Sequence, residues 1–316
     1  MTAWLLSGLG LLILLLAGDA LVRGAVNLSL RLGVPALIVS LTIVAFGTSA
    51  PELLIAIKAV QEHAPGIALG NVVGSNTANI LLVLGLPALL ATIHSSECDT
   101  RRNFIYMILA TVLFIGLAFC GVFTLVSGAI LLAGLALILL NAFREARAHR
   151  NACAAQEEIE LLEEADPDMP YWKVAMFLIL GLVGLPMGAH LLVDNATVIA
   201  RTYGVSETVI GLTLVAVGTS LPELATTVMA ALRRQADVAL GNVIGSNMFN
   251  LLAIVGIATL FGRIPVDPEF LRFDLWVMLA ASLLLVPFVF LRRDITRTWG
   301  FVLTFLYAAY VVALLA

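Results

Sequence analysis

AFGTSAPELLIAIKAVQEHAPGIALGNVVGSNTANILLVLG, residues 45–85, returns 171 residues later as AVGTSLPELATTVMAALRRQADVALGNVIGSNMFNLLAIVG, residues 216–256. The two stretches align without a gap and agree at 19 of 41 positions. Agreement concentrates in two blocks. One is GTSAPEL (Gly47–Leu53) with GTSLPEL (Gly218–Leu224), and the other is GNVVGSNTAN (Gly70–Asn79) with GNVIGSNMFN (Gly241–Asn250). Both blocks sit inside long apolar runs, so the chain reads as a duplicated membrane segment.

The surrounding composition agrees. Of 316 residues, 61% are hydrophobic and 12% charged, with a mean hydropathy of +1.06. Soluble domains carry about 25% charged residues. Many runs reach the roughly 18 to 20 residues that cross a bilayer as a helix. This excludes a nucleic-acid module, a secreted disulfide scaffold and a disordered tail. The net charge of −4 says little, because charge placement orients a membrane chain. Cys98, Cys120 and Cys153 share no ligand spacing, so neither zinc nor a disulfide framework is expected. No basic n-region or clear cleavage site precedes the first run, which reads as a retained span.

Hydropathy places ten spans near 3–28, 34–58, 66–92, 104–120, 122–143, 171–200, 205–232, 237–261, 274–291 and 298–315. Five spans per half is an odd number, so the second half enters the membrane upside down. The expected fold is an all-α membrane protein of ten transmembrane helices, built as two inverted five-helix repeats with helices 2 and 7 broken. Its domains are 1–143 (first repeat), 144–170 (charged linker) and 171–316 (second, inverted repeat). The linker is basic at its start and acidic through Glu157, Glu158, Glu160, Glu163, Glu164 and Asp166. It lacks EF-hand spacing and reads as a solvated hinge. Thirteen of the 17 Lys and Arg residues fall in loops on the linker's side, which puts the linker in the cytoplasm and both termini outside. Short loops and the lack of a large regulatory domain suggest a bacterial inner membrane.

Inverted repeats are the architecture of secondary transporters, whose substrate sits near the midplane where the halves meet. Glu52 and Glu223 lie deep in apolar spans, where a carboxylate costs about 3 kcal/mol on insertion scales. Such residues at equivalent places in two halves can converge on one site. A divalent cation between them would neutralise both charges. Pro51 and Pro222 precede the acids, and each frees the carbonyl four residues earlier, at Gly47 and Gly218. Freed carbonyls at membrane depth persist only against protein or a wet cavity.

The second block builds a facing wall. Asn71, Ser75 and Asn79 recur every four residues on one helix face, as do Asn242, Ser246 and Asn250. Gly70 and Gly74, like Gly241 and Gly245, would allow close helix approach. Asn71, Asn76, Asn242 and Asn247 could instead serve to glue helices together. The collected ligands are all oxygen, without His, Cys or Met, which disfavours zinc, copper and iron. Calcium takes six to eight oxygens in irregular geometry, and sodium suits neutral hydroxyl and carbonyl oxygens. A hard-cation antiporter follows, with no cofactor.

At these blocks the chain resembles the calcium/cation antiporter superfamily, in its sodium/calcium exchanger branch. The duplicated GTSxPEL and GNVxGSNxxN blocks are similar to its two alpha-repeats, and the ten-span plan extends the likeness over nearly the whole chain. The resemblance implies alternating access in which sodium and calcium compete for overlapping sites. Glu52 and Glu223 would bridge calcium, with carbonyls of Thr48 and Thr219 completing its shell. Sodium sites would draw on Ala45, Thr48, Ser49, Glu52 and Ser75 in one half, and on Ala216, Thr219, Ser220, Glu223 and Ser246 in the other. Asn79 and Asn250 would line the centre, and spans 1 and 6 would slide to change the open side. Some relatives, potassium-dependent ones included, carry an acid at the position of Asn250, so Asn there argues against potassium dependence.

Three rival readings differ in mechanism. A calcium/proton antiporter would load Glu52 and Glu223 with protons instead of sodium. An intramembrane enzyme would need a base beside Ser49 or Ser220, but neither block holds a His and no HExxH occurs. A passive channel would also use oxygen rings, but broken helices in inverted repeats favour a carrier. Asp19 and His190 occupy equivalent positions and break the symmetry, as packing or interfacial residues or in proton coupling. The expected partners are calcium, sodium and the lipid bilayer, with no nucleic acid and no obligatory protein partner.

Overall fold

Two long helices, α1 (Thr2–Leu32) and α9 (Tyr171–Thr202), run antiparallel against each other in the computed structural model, which describes residues 2–153, 166, 169–204 and 216–315. Glycine makes their contact. A Cβ on Gly10 would lie 2.6 Å from the Leu192 nitrogen, and one on Gly188 2.9 Å from the Leu14 nitrogen. The pair is tied at one end, where Arg31 donates to the Met169 carbonyl (2.8 Å) and stacks over Tyr171.

The repeated stretch folds as a run of short helices in each half. In the first half these are α2 (Ala36–Val39), a π-helical turn (Ser40–Val44), α3 (Ala45–Thr48), α4 (Ala50–Gln61) and α5 (Pro65–Ala78). A second π turn (Asn79–Val83) leads into α6 (Gly85–Leu90). Helices α7 (Arg101–Ala118) and α8 (Leu125–Cys153) complete the half. The second half gives α10 (Ala216–Thr219), α11 (Leu221–Leu232), α12 (Ala236–Met248), a π turn (Phe249–Ile254) and α13 (Val255–Ala258). It ends with α14 (Pro268–Arg272), α15 (Asp274–Leu283), α16 (Val286–Phe290) and α17 (Arg297–Leu315).

The fold is the nearly all-helical membrane architecture that the hydropathy predicts. Among the described residues eight helices are long and apolar enough to cross a bilayer, and the bent pair Ala36–Thr48 with Ala50–Gln61 makes a ninth. Leu221–Leu232 is a shorter apolar helix, and the start of its predicted span, 205–215, lies outside the described residues. So do the linker acids at 157–164. Two features escape the hydropathy reading. A two-residue antiparallel ladder joins β1 (Val122–Phe123) to β2 (Ile264–Pro265), and Ile93 bridges Ile295. Such pairing satisfies backbone groups at the ends of spans, where the apolar count carries no signal.

Burial sorts the helices. Every residue of the most apolar window of Ala236–Ala258 is buried, against 11% in Arg297–Leu314. The repeated segments therefore form the centre, and helices such as α17 present Phe301 and Phe305 outward, as lipid contact requires. Close approach is visible at α12, where a Cβ on Gly245 would lie 2.6 Å from both the Leu41 carbonyl oxygen and the Ala45 Cβ. The equivalent approach expected at Gly74 is not seen, since a Cβ there meets nothing within 4 Å among the described residues. The repeat assigns its partners to 212 and 216, of which 212 and the side chain of 216 lie outside them.

Candidate functional site

The two acids sit where helices break. Ser49 leaves the helix with φ −84° and ψ 5°, and Ser220 does so with φ −86° and ψ 3°. Near-equal dihedrals show the duplicated sequence folding one turn twice. The bend across Ser49 is 43°. Pro51 and Pro222 then lie in the first turn of α4 and α11, where a missing N–H costs little. Glu52 and Glu223 follow in the same turn, at the positive end of each helix. Both are fully buried, and Glu52 lies within the electrostatic reach of Glu223.

Amides on α5 and α12 brace the acids' backbone. Asn71 Nδ2 reaches the Glu52 carbonyl (3.5 Å), and Asn242 Nδ2 reaches the Glu223 carbonyl (3.2 Å). Asn242 also donates to Thr227 Oγ1, which in turn donates to the Glu223 carbonyl at 2.7 Å. The halves interlock across this centre. Ser49 Oγ donates to Glu223 Oε1 (3.1 Å), while Thr48 Oγ1 donates to Asn242 Oδ1 (3.3 Å) and lies 3.5 Å from Ser246 Oγ.

A second amide cluster lies beside it. Asn76 and Asn247 exchange side-chain-to-carbonyl bonds of 3.3 and 3.4 Å, and Asn79 Nδ2 donates to Asn247 Oδ1 at 3.0 Å. Helix glue is therefore what Asn76 and Asn247 do. Replacing Asn247 with Ala strands one buried donor, Asn79 Nδ2, and removes the donor to the Asn76 carbonyl, and should cost roughly 3 kcal/mol. The check is a lower melting midpoint in detergent.

Several oxygens at the centre have no hydrogen-bond partner. They are both carboxylate oxygens of Glu52, Oε2 of Glu223, Ser220 Oγ, Asn76 Oδ1, Asn79 Oδ1 and Asn250 Oδ1, and the Asn250 Nδ2 donor is unpartnered as well. Native interiors rarely leave such groups unpaired, and here they cluster around two carboxylates. No Lys or Arg is buried among the described residues. Nor do those residues hold any group of three or more His, Cys, Asp or Glu suited to a metal. The oxygens gathered there come from carboxylates, amides and hydroxyls, which fits a hard cation.

The other predicted residues fall as follows. Thr48, Ser49, Ser75, Asn79, Ser220, Ser246 and Asn250 are all buried. Ala45 is buried against Gly245. Thr219 instead lines a cavity of about 610 Å³ that runs from Pro51 and Pro222 along α9 to Arg201. Ala216 opens α10, and its side chain lies outside the described residues. Thr227 and the bracing role of Asn71 and Asn242 escaped the sequence reading. Recurrence of both Asn residues at one repeat position was the available signal.

A family model described as sodium/calcium exchanger protein matches residues 2–144 and 173–316, both halves without the linker. CaxA of Alkalimonas amylolytica, a candidate antiporter, is 37% identical over 95% of each chain. The sodium/calcium exchanger MaX1 of Methanosarcina acetivorans is 34% identical, covering 97% of this chain and 96% of that one. Among solved structures, the sodium–calcium exchanger NCX_Mj soaked with 10 mM Na+ and zero Ca2+ superimposes with a TM-score of 0.82. It is 32% identical, over 99% of this chain and 98% of that chain.

Proposed function

This chain belongs to the sodium/calcium exchanger family, and from that premise we propose that it exchanges calcium for sodium across a membrane by alternating access. Membership makes it a multi-pass cation antiporter. The sodium coupling and the ligand roles are our reading. The observation that carries the reading is the pair of buried acids, with three of their four carboxylate oxygens unpartnered at the breaks of two equivalent helices.

In this reading Glu52 and Glu223 hold calcium between them, with carbonyls of Thr48 and Thr219 in its shell. Sodium takes overlapping positions built from Ala45, Thr48, Ser49, Glu52 and Ser75, and from Ala216, Thr219, Ser220, Glu223 and Ser246. Asn79 and Asn250 line the centre and leave it two formal negative charges, enough for one calcium without potassium. Because the ion sets share carboxylates, occupancy by one excludes the other, and flux is coupled. The hydroxyls beside each acid are neutral ligands suited to sodium, and the names of MaX1 and NCX_Mj point the same way. The residues 1–143 and 171–316 act as the two repeats, and 144–170 as the linker between them. In this reading the excess of Lys and Arg on the linker's side supports a cytoplasmic linker with both termini outside, and the short loops suit a bacterial inner membrane.

Proteoliposomes loaded with sodium test this directly. Calcium uptake should require internal sodium, ignore potassium and persist without a pH gradient. Uptake driven by a pH gradient alone would replace sodium with protons. Uptake needing no counter-ion would mean a channel.

A further inference from the structure

The repeat that builds the ion site also pairs the surfaces leading to it. Shifted by 171 positions, Asp19, Val22 and Arg23 of α1 fall on His190, Val193 and Asp194 of α9. Arg233, just after α11, falls on Glu62, just after α4. Arg23 and Arg233 change sign to Asp194 and Glu62, and Asp19 is replaced by His190. The two surfaces also differ in packing. On one side the cavity beside α9 is lined by Val193, Ile55 of α4 and Thr219 at the site. On the other side α1 lies against α11. Val22 is 1% exposed, Thr226, the counterpart of Ile55, is fully buried, and a Cβ on Gly18 would lie 2.9 Å from the Ala225 carbonyl oxygen.

An ion pair crosses the shut side. The Arg233 guanidinium closes on the Asp19 carboxylate, and Arg23 adds a contact at 3.0 Å from the same helix. The side chains of Arg233 and Asp19 are 16% and 20% exposed, so solvent screens them less than a surface pair. The counterparts turn inward on their own helices. His190 pairs with Asp194 at 3.3 Å and Glu62 with Lys58 at 3.8 Å, all largely exposed.

We propose that Asp19 and Arg233 form a latch that holds the path between α1 and α11 shut and so makes the state open along α9 the resting one. The inference rests on the alternating-access reading above. In that mechanism the two paths must open in turn about one fixed site, so a contact that has to break before one path can open weights the two states unequally. Asp19 is then neither a proton-coupling group nor a packing residue, but a positioning residue that acts through Arg233.

Thiol labelling tests the latch. In a background with Cys98, Cys120 and Cys153 replaced by Ser, Val22→Cys and Val193→Cys report the shut and open paths. In reconstituted vesicles, a membrane-impermeant maleimide should modify Val193→Cys from the side on which α9 ends and leave Val22→Cys protected. Adding Asp19→Asn or Arg233→Gln should speed labelling of Val22→Cys about tenfold from the opposite side and slow that of Val193→Cys. Arg233→Lys, which keeps the charge, should retain protection. Monodisperse elution of each variant excludes misfolding as the cause. Unchanged labelling in both neutralised variants would overturn the latch. Sodium-driven calcium uptake by the parent, run in parallel, separates the failures. Absent uptake would remove the antiport reading, whereas intact uptake with unchanged labelling would remove the latch alone.

Discussion

Glu52→Gln and Glu223→Gln should each lower calcium affinity roughly a hundredfold or more, because ligand charge count sets the affinity of oxygen cages. Sodium-dependent calcium uptake should vanish in both. The replacement is isosteric, so packing is not the cause, and the ion-free protein should be at least as stable as the parent. Removing one partner of a buried ion pair usually costs stability. Here the sign is reversed, because the carboxylate removed has no cationic partner among the described residues. The two variants should differ in degree. Both oxygens of Glu52 lack a hydrogen bond, whereas Glu223 accepts one from Ser49. Glu52→Gln should therefore raise the ion-free melting midpoint more. Calcium titration calorimetry and thermal melting in one detergent measure the two effects. Normal uptake by Glu52→Gln would remove the shared carboxylate centre from the mechanism.

Gly245→Val should abolish the folded core. A helical Gly replaced by Ala gains about 1 kcal/mol of intrinsic propensity. At Gly245 that gain is opposed by a Cβ 2.6 Å from the Leu41 carbonyl oxygen and from the Ala45 Cβ. Forced overpacking costs typically 1–3 kcal/mol, roughly, and more when backbone must move. The clash wins even for Ala, and the two extra methyls of Val add to it. Gly245→Ala should melt lower than the parent and lose apparent sodium affinity, since Ala45 and Ser246 flank the contact. Gly245→Val should elute as aggregate. A folded, active Gly245→Val would mean that α12 does not need this approach.

Much of this could be read in the chain before any coordinates. The breaks at Ser49 and Ser220 follow from a proline two residues on, a local cause repeated in both halves. The convergence of Glu52 with Glu223 followed from inverted duplication, a global cause that the repeat period exposes. What stayed hidden had no local cause. The π turns opening at Asn79 and Phe249 insert one residue into a helix, and no residue type marks that insertion. Thr48 and Asn242 meet across 194 positions, and Asp19 and Arg233 across 214. Both contacts depend on how the halves lean together. Asp19 looked like a break in symmetry, which it is, but its partner could be named only from the packed structure.

An exchanger must also refuse to return empty. The centre holds two buried carboxylates and no buried basic residue among those described. Turned through a closed intermediate without cations, it would carry bare charge through low dielectric, at an effective cost of several kcal/mol per ion. Each 1.4 kcal/mol, about, slows the passage tenfold. On the proposed mechanism the futile half-cycle is therefore slowed by the same oxygens that would hold the cargo. Coupling of that kind would need no additional gate, and a variant that relieves the charge should gain the freedom to slip.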